Sequence, residues 1–295
     1  MIGYRCFLLV LYCLLHHLPC SAVLVPVASA AVLKAGAAVI LCTYAAVETY
    51  CRIPQGVLFG SLPGPLPDFT EKDLVVIFPG AGGVDQNILD LEQAIKRADQ
   101  SQRIKRRTIV YDWRRWRGNL LRASFDSESV GEGVATQLIS DHPDLKSVHA
   151  IGVSVGAFAA NSCIRALHKK KASSTTNPYL RLTLLDPFTL RGVFGLGYGK
   201  SFFGKCANFC EQFLNSDDPV PSTNEPLPLA RTYDVTTAKS RQSFTPLPGD
   251  NMHSWPLVYY AKNFITQKNP DGSLYQPVHD DSNPNLRRGT VVKVP

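Results

Sequence analysis

Short apolar runs alternate with helically spaced apolar residues along most of this chain. Leu74-Val75-Val76-Ile77-Phe78 is continuous and β-branched, which suits a strand buried on both faces of a parallel sheet. Gly80-Ala81-Gly82-Gly83 breaks it. Ile88, Leu91 and Ile95 then recur on one helical face, Thr108 to Tyr111 reads as a second strand, and Val130, Val134 and Leu138 mark another amphipathic helix. Val148 to Val153 and Leu180 to Leu185 are further strands, with a helix from Ala157 to Lys171 between them. Thr232 to Thr237 reads as the last strand, before a helix from Trp255 to Ile265. Such alternation predicts right-handed βαβ units and a mainly parallel central sheet with helices on both faces. No internal repeat is evident.

The pattern fails in three places. Residues 1–30 have a basic start, an apolar stretch from Cys6 to Leu15, and small residues at Cys20-Ser21-Ala22 and Ala28-Ser29-Ala30, the layout of a secretory signal peptide. Apolar character resumes from Ala35 to Ala46 within an N-terminal segment and linker, 31–70. Neither half reaches the roughly 18 strongly apolar residues of a spanning helix, although the two merged could anchor the chain. A cleaved signal is favoured over an anchor, with organelle targeting a third reading, so a secreted or membrane-associated protein of the secretory pathway is expected. The core domain is read as 71–267. Within it, 187–231 interleaves Gly192, Gly195, Gly197, Gly199 and Gly204 with Phe194, Leu196, Phe202, Phe203 and Phe209. That composition fits a lid or acyl-chain wall and equally a long connection packed on the core. Residues 268–295 are read as a polar tail.

At 295 residues and 45% hydrophobic content, the chain suits one large α/β domain. The net charge of +7 is concentrated in Arg103 to Arg107, Arg114 to Arg117 and His168 to Lys171. Solvated loop charge is the plain reading, and contact with an anionic membrane surface the sharper one. Nucleic acid is not expected as a partner, because no binding motif accompanies the clusters. Outside the leader the cysteines are Cys42, Cys51, Cys163, Cys206 and Cys210. Local pairings of Cys42 with Cys51 and of Cys206 with Cys210 are conceivable, with Cys163 a buried free thiol. No metal or cofactor is expected, since no second Cys/His pair stands at zinc-site spacing.

Gly152-Val153-Ser154-Val155-Gly156 carries the chemistry. A G-x-S-x-G serine between a strand and a helix describes the nucleophile elbow of an α/β-hydrolase fold, in which glycines let the chain turn and expose the hydroxyl. A serine needs a base, and the base an orienting acid. In this fold they follow the serine in the order acid, then histidine. Asp186 ends a strand and precedes Pro187, so it is the expected acid, with Asp234 as runner-up. His142 and His149 precede the serine. His168 lies roughly 20 Å along the same helix, at about 1.5 Å per residue. His253, in the loop before the last helix, is the expected base, and His279 the lesser alternative. Two amides must hold the oxyanion, and Val155 and Ala81 are the expected donors.

Several segments together resemble the animal-type triglyceride lipase and phospholipase A1 family. Val148 through Ala157 is similar to that family's V-H-x-I-G-H-S-L-G-A, Val110-Tyr111-Asp112-Trp113 to its V-D-W strand end, and Val130-Gly131 with Val134-Ala135 to its V-G-x-x-V-A helix. Leu185-Asp186-Pro187 resembles its acid motif, and His253 with Tyr259-Tyr260 its histidine region. The resemblance implies Ser154 as nucleophile, Asp186 as acid and His253 as base, acting on acyl esters of lipids: triacylglycerol, phospholipid or galactolipid. Val153 and Pro79 depart from the histidines usual in the family. Phe78 through Gly83 also resembles the F-P-x-A-G-G loop of type II thioesterases, so acyl-thioester hydrolysis is the enzymatic rival. A non-catalytic lipid-binding protein on the same fold is the rival of another class.

Overall fold

The computed structural model describes residues 30–53, 64–114, 119–171, 177–263, 273 and 275–295. The chain divides into two units, Met1–Ala45 and Ala46–Pro295. What is described of the first is the beginning of a helix, α1 (Ala30–Arg52), and the leader expected over 1–30 otherwise lies outside the described residues. No described helix is long and apolar enough to cross a membrane.

The second unit is built on a seven-stranded sheet in which every pairing is parallel. Its strands are β1 (Asp73–Phe78), β2 (Arg107–Val110), β3 (Ser147–Val153), β4 (Tyr179–Leu185), β5 (Phe209–Leu214), β6 (Arg231–Asp234) and β7 (Val291–Lys293). They lie in the order β2-β1-β3-β4-β5-β6-β7. Between them run α2 (Gln86–Ser101), α3 (Leu120–Asp141), α4 (Gly156–Lys171), the short α5 (Tyr198–Phe202) and α6 (Trp255–Asn263). The expected α/β class is therefore met.

Period-two alternation divides the core between the faces. Leu74, Val76, Val148, Ala150, Leu182 and Leu184 pack with α3 and α4. Val75, Ile77, Ile151, Leu185 and Phe213 pack with Ile88, Leu91 and Ile95 of α2 and with Trp255 and Tyr260 of α6. Two apolar faces need helices on both sides, which is why these strands read as unbroken apolar runs. The last turn of α1 joins this unit through Arg122, buried on α3, whose guanidinium donates to the carbonyls of Tyr50 and Ile53. These are carbonyls that a helix end leaves without intrahelical donors.

Two expectations are corrected. The stretch 187–231 is not irregular throughout, because it contains β5, a fully buried strand between β4 and β6. Glu211 and Gln212 disguise it. Both are buried and satisfied: Glu211 accepts from Arg181 at 2.6 Å and Thr183 Oγ1 at 2.7 Å, and Gln212 Oε1 accepts from the Leu227 amide at 2.8 Å. Buried polar groups with partners cost little. Likewise the tail 268–295 is not free of structure, since β7 pairs with β6. β6 stops short of the expected Thr237, where Asp234 Oδ1 accepts from the amide and hydroxyl of Thr236 in a turn.

The part of 187–231 before β5 is held down firmly. The Val193 amide donates to Glu48 Oε2 at 2.7 Å, Arg191 pairs with Glu128, and Tyr198 donates to Glu128 Oε1 at 2.8 Å. Phe194 and Leu196 nevertheless point outward, 54% and 76% exposed. All five described cysteines are free thiols, which corrects the pairings considered above. Cys42 and Cys51 are separated by about 13 Å of helical rise, beyond disulfide reach. Cys163 is fully buried, and burial pushes its thiol up to about 12.

Candidate active site

All strands being parallel, their carboxyl ends share one edge of the sheet. The chain runs outward from β1 to β2 and then returns to β3 on the other side of β1. The crevice at such a reversal, beyond the strand ends, is where open α/β sheets place ligands. The loop after Phe78 and the turn at Ser154 flank it.

Ser154 has φ 51°, in the left-handed region, and Asp186 has φ 46°. For residues with a Cβ this costs on the order of 1–3 kcal/mol each and persists only where surroundings enforce it. Here they do. The Ser154 amide donates to Leu185 O at 3.0 Å and the Asp186 amide to Phe213 O at 2.9 Å, so each residue extends the ladder onto the next strand as the chain turns. A Cβ on Gly156 would lie 2.2 Å from Phe78 O, and one on Gly152 would lie 2.6 Å from Ala157 Cα. Glycine is required at 156 for the turn to pack against the end of β1, and at 152 for β3 to pass the first turn of α4.

The loop after β1 borders the serine: a Cβ on Gly80 would come 3.1 Å from Ser154 Cβ. Buried Trp113 donates Nε1 to Pro79 O at 2.9 Å and fixes the loop's start. Among the described residues, neither the Ala81 amide nor the Val155 amide donates to another group, and Ser154 Oγ makes no hydrogen bond.

His253 sits in a 3₁₀ turn (Met252–Ser254) before α6, its amide donating to Asn251 Oδ1 at 2.7 Å. Its Nδ1 meets two carboxylates, Asp186 Oδ2 at 2.9 Å and Asp218 Oδ2 at 2.6 Å. No family model matches the chain, nor does any curated protein or solved structure. The site therefore rests on its own geometry.

Sequence reading missed Asp218, which lies shortly after β5, because the strand itself went unrecognised. It also missed Asn215. This buried side chain donates Nδ2 to Met252 O at 3.2 Å while its amide donates to Asp186 Oδ1 at 3.0 Å, tying the acid's loop to the histidine's. Burial alone would depress the His253 imidazole, but the two carboxylates outweigh it and raise it above its ordinary value. Burial pushes the Asp186 carboxyl up, and Asp218 beside it adds to the effect. Asp218 is also penalised by burial, yet His253, Asp186 and Thr223 hold it below the usual carboxylate range. The donor atoms of Asp186, Asp218 and His253 lie within 4.8 Å of one another. Contacts of 2.6 and 2.9 Å to Nδ1 are hydrogen-bond contacts, shorter than two ligands of one metal ion keep when each stands about 2.0–2.2 Å from it.

The other candidates lie elsewhere. Asp234 is engaged in its own turn. His279 accepts from the Cys210 amide and packs on Phe209, near the start of β5 at the opposite edge. His149 is buried against Thr183 Oγ1 at 2.7 Å. Of the basic clusters, Arg106 is buried in a pair with Asp99, which removes it from any surface patch. Residues 115–117 lie outside the described residues.

Proposed function

We propose that this chain is a serine ester hydrolase with an α/β-hydrolase fold, acting on acyl esters of lipids. The observation that carries the proposal is Ser154 held in the left-handed region at the end of β3, with His253 paired to carboxylates at neighbouring strand ends. His253 Nε2 takes the Ser154 proton as Oγ attacks the ester carbonyl. The amides of Val155 and Ala81 receive the oxyanion. His253 then gives its proton to the departing alcohol, and water, activated by the same imidazole, releases the acid from the acyl-enzyme. The resemblance of Val148–Ala157 and Leu185–Pro187 to the lipase family supports lipid esters over thioesters.

The free Ser154 hydroxyl favours a second reading, a lipid-binding protein without turnover. One experiment separates the two: exposure of the purified chain to a fluorophosphonate probe in detergent, with Ser154→Ala and His253→Ala beside it. Covalent labelling lost in both variants is expected. Absence of labelling in the folded wild type refutes the esterase and leaves the binding protein. A location in the secretory pathway, secreted or membrane-associated, is proposed on residues 1–30, and mass spectrometry of the mature N-terminus checks it.

A further inference from the structure

We infer that Asp218 is the carboxylate that positions His253, and that Asp186 stands beside it as a neutral carboxylic acid. The inference rests on the esterase reading for its consequence and on the hydrogen bonding around His253 for its argument. An imidazole Nδ1 has one proton to give, and two carboxylate oxygens compete for it. Asp218 Oδ2 is the nearer, at 2.6 Å against 2.9 Å.

Asp218 is also better provided for as an anion. Its Oδ2 accepts from Thr223 Oγ1 at 2.5 Å as well as from His253, and its Oδ1 accepts the Val220 amide at 3.1 Å. Asp186 has one donor besides the histidine, the Asn215 amide at 3.0 Å. Both acids are buried, Asp186 to 1% exposure. Two like charges this close, with one imidazole to share, do not both ionise readily, and the less well solvated one keeps its proton. The directions in which the two carboxyls are displaced agree: burial raises Asp186, while donors lower Asp218.

Among the described residues, Asp186 and Asp218 are the charged groups that act on His253. Asp186 faces His253 from the end of β4 and Asp218 from the turn after β5. Met252 and Ser254 of its own turn are uncharged, and Asp217 is turned away to Arg241 at 2.6 Å. During acylation the proton leaving Ser154 Oγ for His253 Nε2 therefore creates an imidazolium opposite the Asp218 carboxylate, which also accepts the Asp186 hydroxyl.

Asparagine is the isostere of a neutral carboxylic acid, so the two amide variants part company. Asp218→Asn is expected to slow fluorophosphonate labelling by about 10³–10⁴-fold, the loss that follows when an orienting acid is neutralised and the imidazole takes the wrong tautomer. Asp186→Asn is expected to cost about tenfold, the scale of one hydrogen bond. The acid limb of the labelling rate against pH is expected to move down in Asp218→Asn, because a carboxylate that raised His253 is gone. In Asp186→Asn it is expected to stay near its wild-type place. Thermal unfolding verifies that both variants fold.

An equal or greater loss in Asp186→Asn overturns the inference. If the wild type is never labelled, the esterase reading fails, and ¹⁵N imidazole spectra still decide this point, with His253 assigned by comparison with His253→Gln. A protonated Nδ1 retained in Asp186→Asn and lost in Asp218→Asn supports the assignment, and the reverse overturns it.

Discussion

Replacing Gly131 by alanine tests how α3 and α4 carry the elbow. Gly131 lies mid-helix, where alanine is ordinarily worth about 1 kcal/mol in helix propensity. Its added Cβ would lie 2.2 Å from Ala159 O, 2.7 Å from Cys163 N and 2.8 Å from Ser162 Cβ. Comfortable carbon contacts fall near 3.5–4.0 Å, and these atoms belong to or adjoin the backbone of α4, which cannot give locally. The helices must part by about 1 Å, loosening Val134, Leu138, Phe158 and Ile164 together. Overpacking of this kind costs about 3 kcal/mol at the upper end of its usual range, and subtracting about 1 kcal/mol of propensity leaves a net loss of about 2 kcal/mol. Urea unfolding followed by the fluorescence of buried Trp113 and Trp255 reads it. Gly82→Ala is the control, since nothing stands within 4 Å of its Cβ, and it is expected to stay within about 0.5 kcal/mol of wild type. The sign decides: a Gly131→Ala chain as stable as wild type, or more so, refutes this packing. Because α4 begins at the elbow, labelling of Ser154 is expected to slow in the same variant, by up to about 100-fold if the displacement reaches the serine.

Three further outcomes are expected. His149 is held well below its ordinary value, first by burial and then by Arg181 and Arg106, so only the unfolded chain gains its proton as pH falls. Stability present above about pH 6.5 is therefore lost on acidification by up to about 1.4 kcal/mol per pH unit, and unfolding midpoints across pH are expected to flatten in His149→Gln; an unchanged acid limb contradicts this. Glu48→Ala removes the acceptor of the Val193 amide, so limited chymotrypsin digestion is expected to cut faster at Phe194 or Leu196, with unchanged kinetics counting against the clamp. Trp113→Phe leaves the Pro79 carbonyl without its buried donor, a loss expected at about 1–3 kcal/mol with slower Ser154 labelling, and full retention of both would show the loop is fixed otherwise.

The legible part of this fold is the part buried on both faces by apolar side chains. β1, β3 and β4 are continuous apolar runs, and Ile88, Leu91 and Ile95 announce the buried face of α2. Ser154 was legible because an elbow needs glycines on both sides, and His253 because chain order and spacing set aside His142, His149 and His168 and left His279 as the lesser alternative. β5 was not, since Glu211 and Gln212 find their partners only on β4, on β6 and in the connection before β6, which no local pattern shows. Losing β5 also lost Asp218. A carboxylate in a stretch read as a lid or a long packed connection has no reason to be examined, whereas one just past a central strand does. The two acids converge on His253 through tertiary structure alone, from separate connections.

From β4 onward each strand lies beside the one synthesised just before it. The sheet therefore lengthens in one direction as the chain emerges, and β6 presents a bare edge until Val291–Lys293 closes on it. An open edge is a template for another chain, whereas a three-residue strand bearing Lys293 is a poor one. Nascent or clipped forms ending before Val291 would accordingly associate edge to edge, and the edge of β6 is guarded by a strand that sets only Val292 against the core.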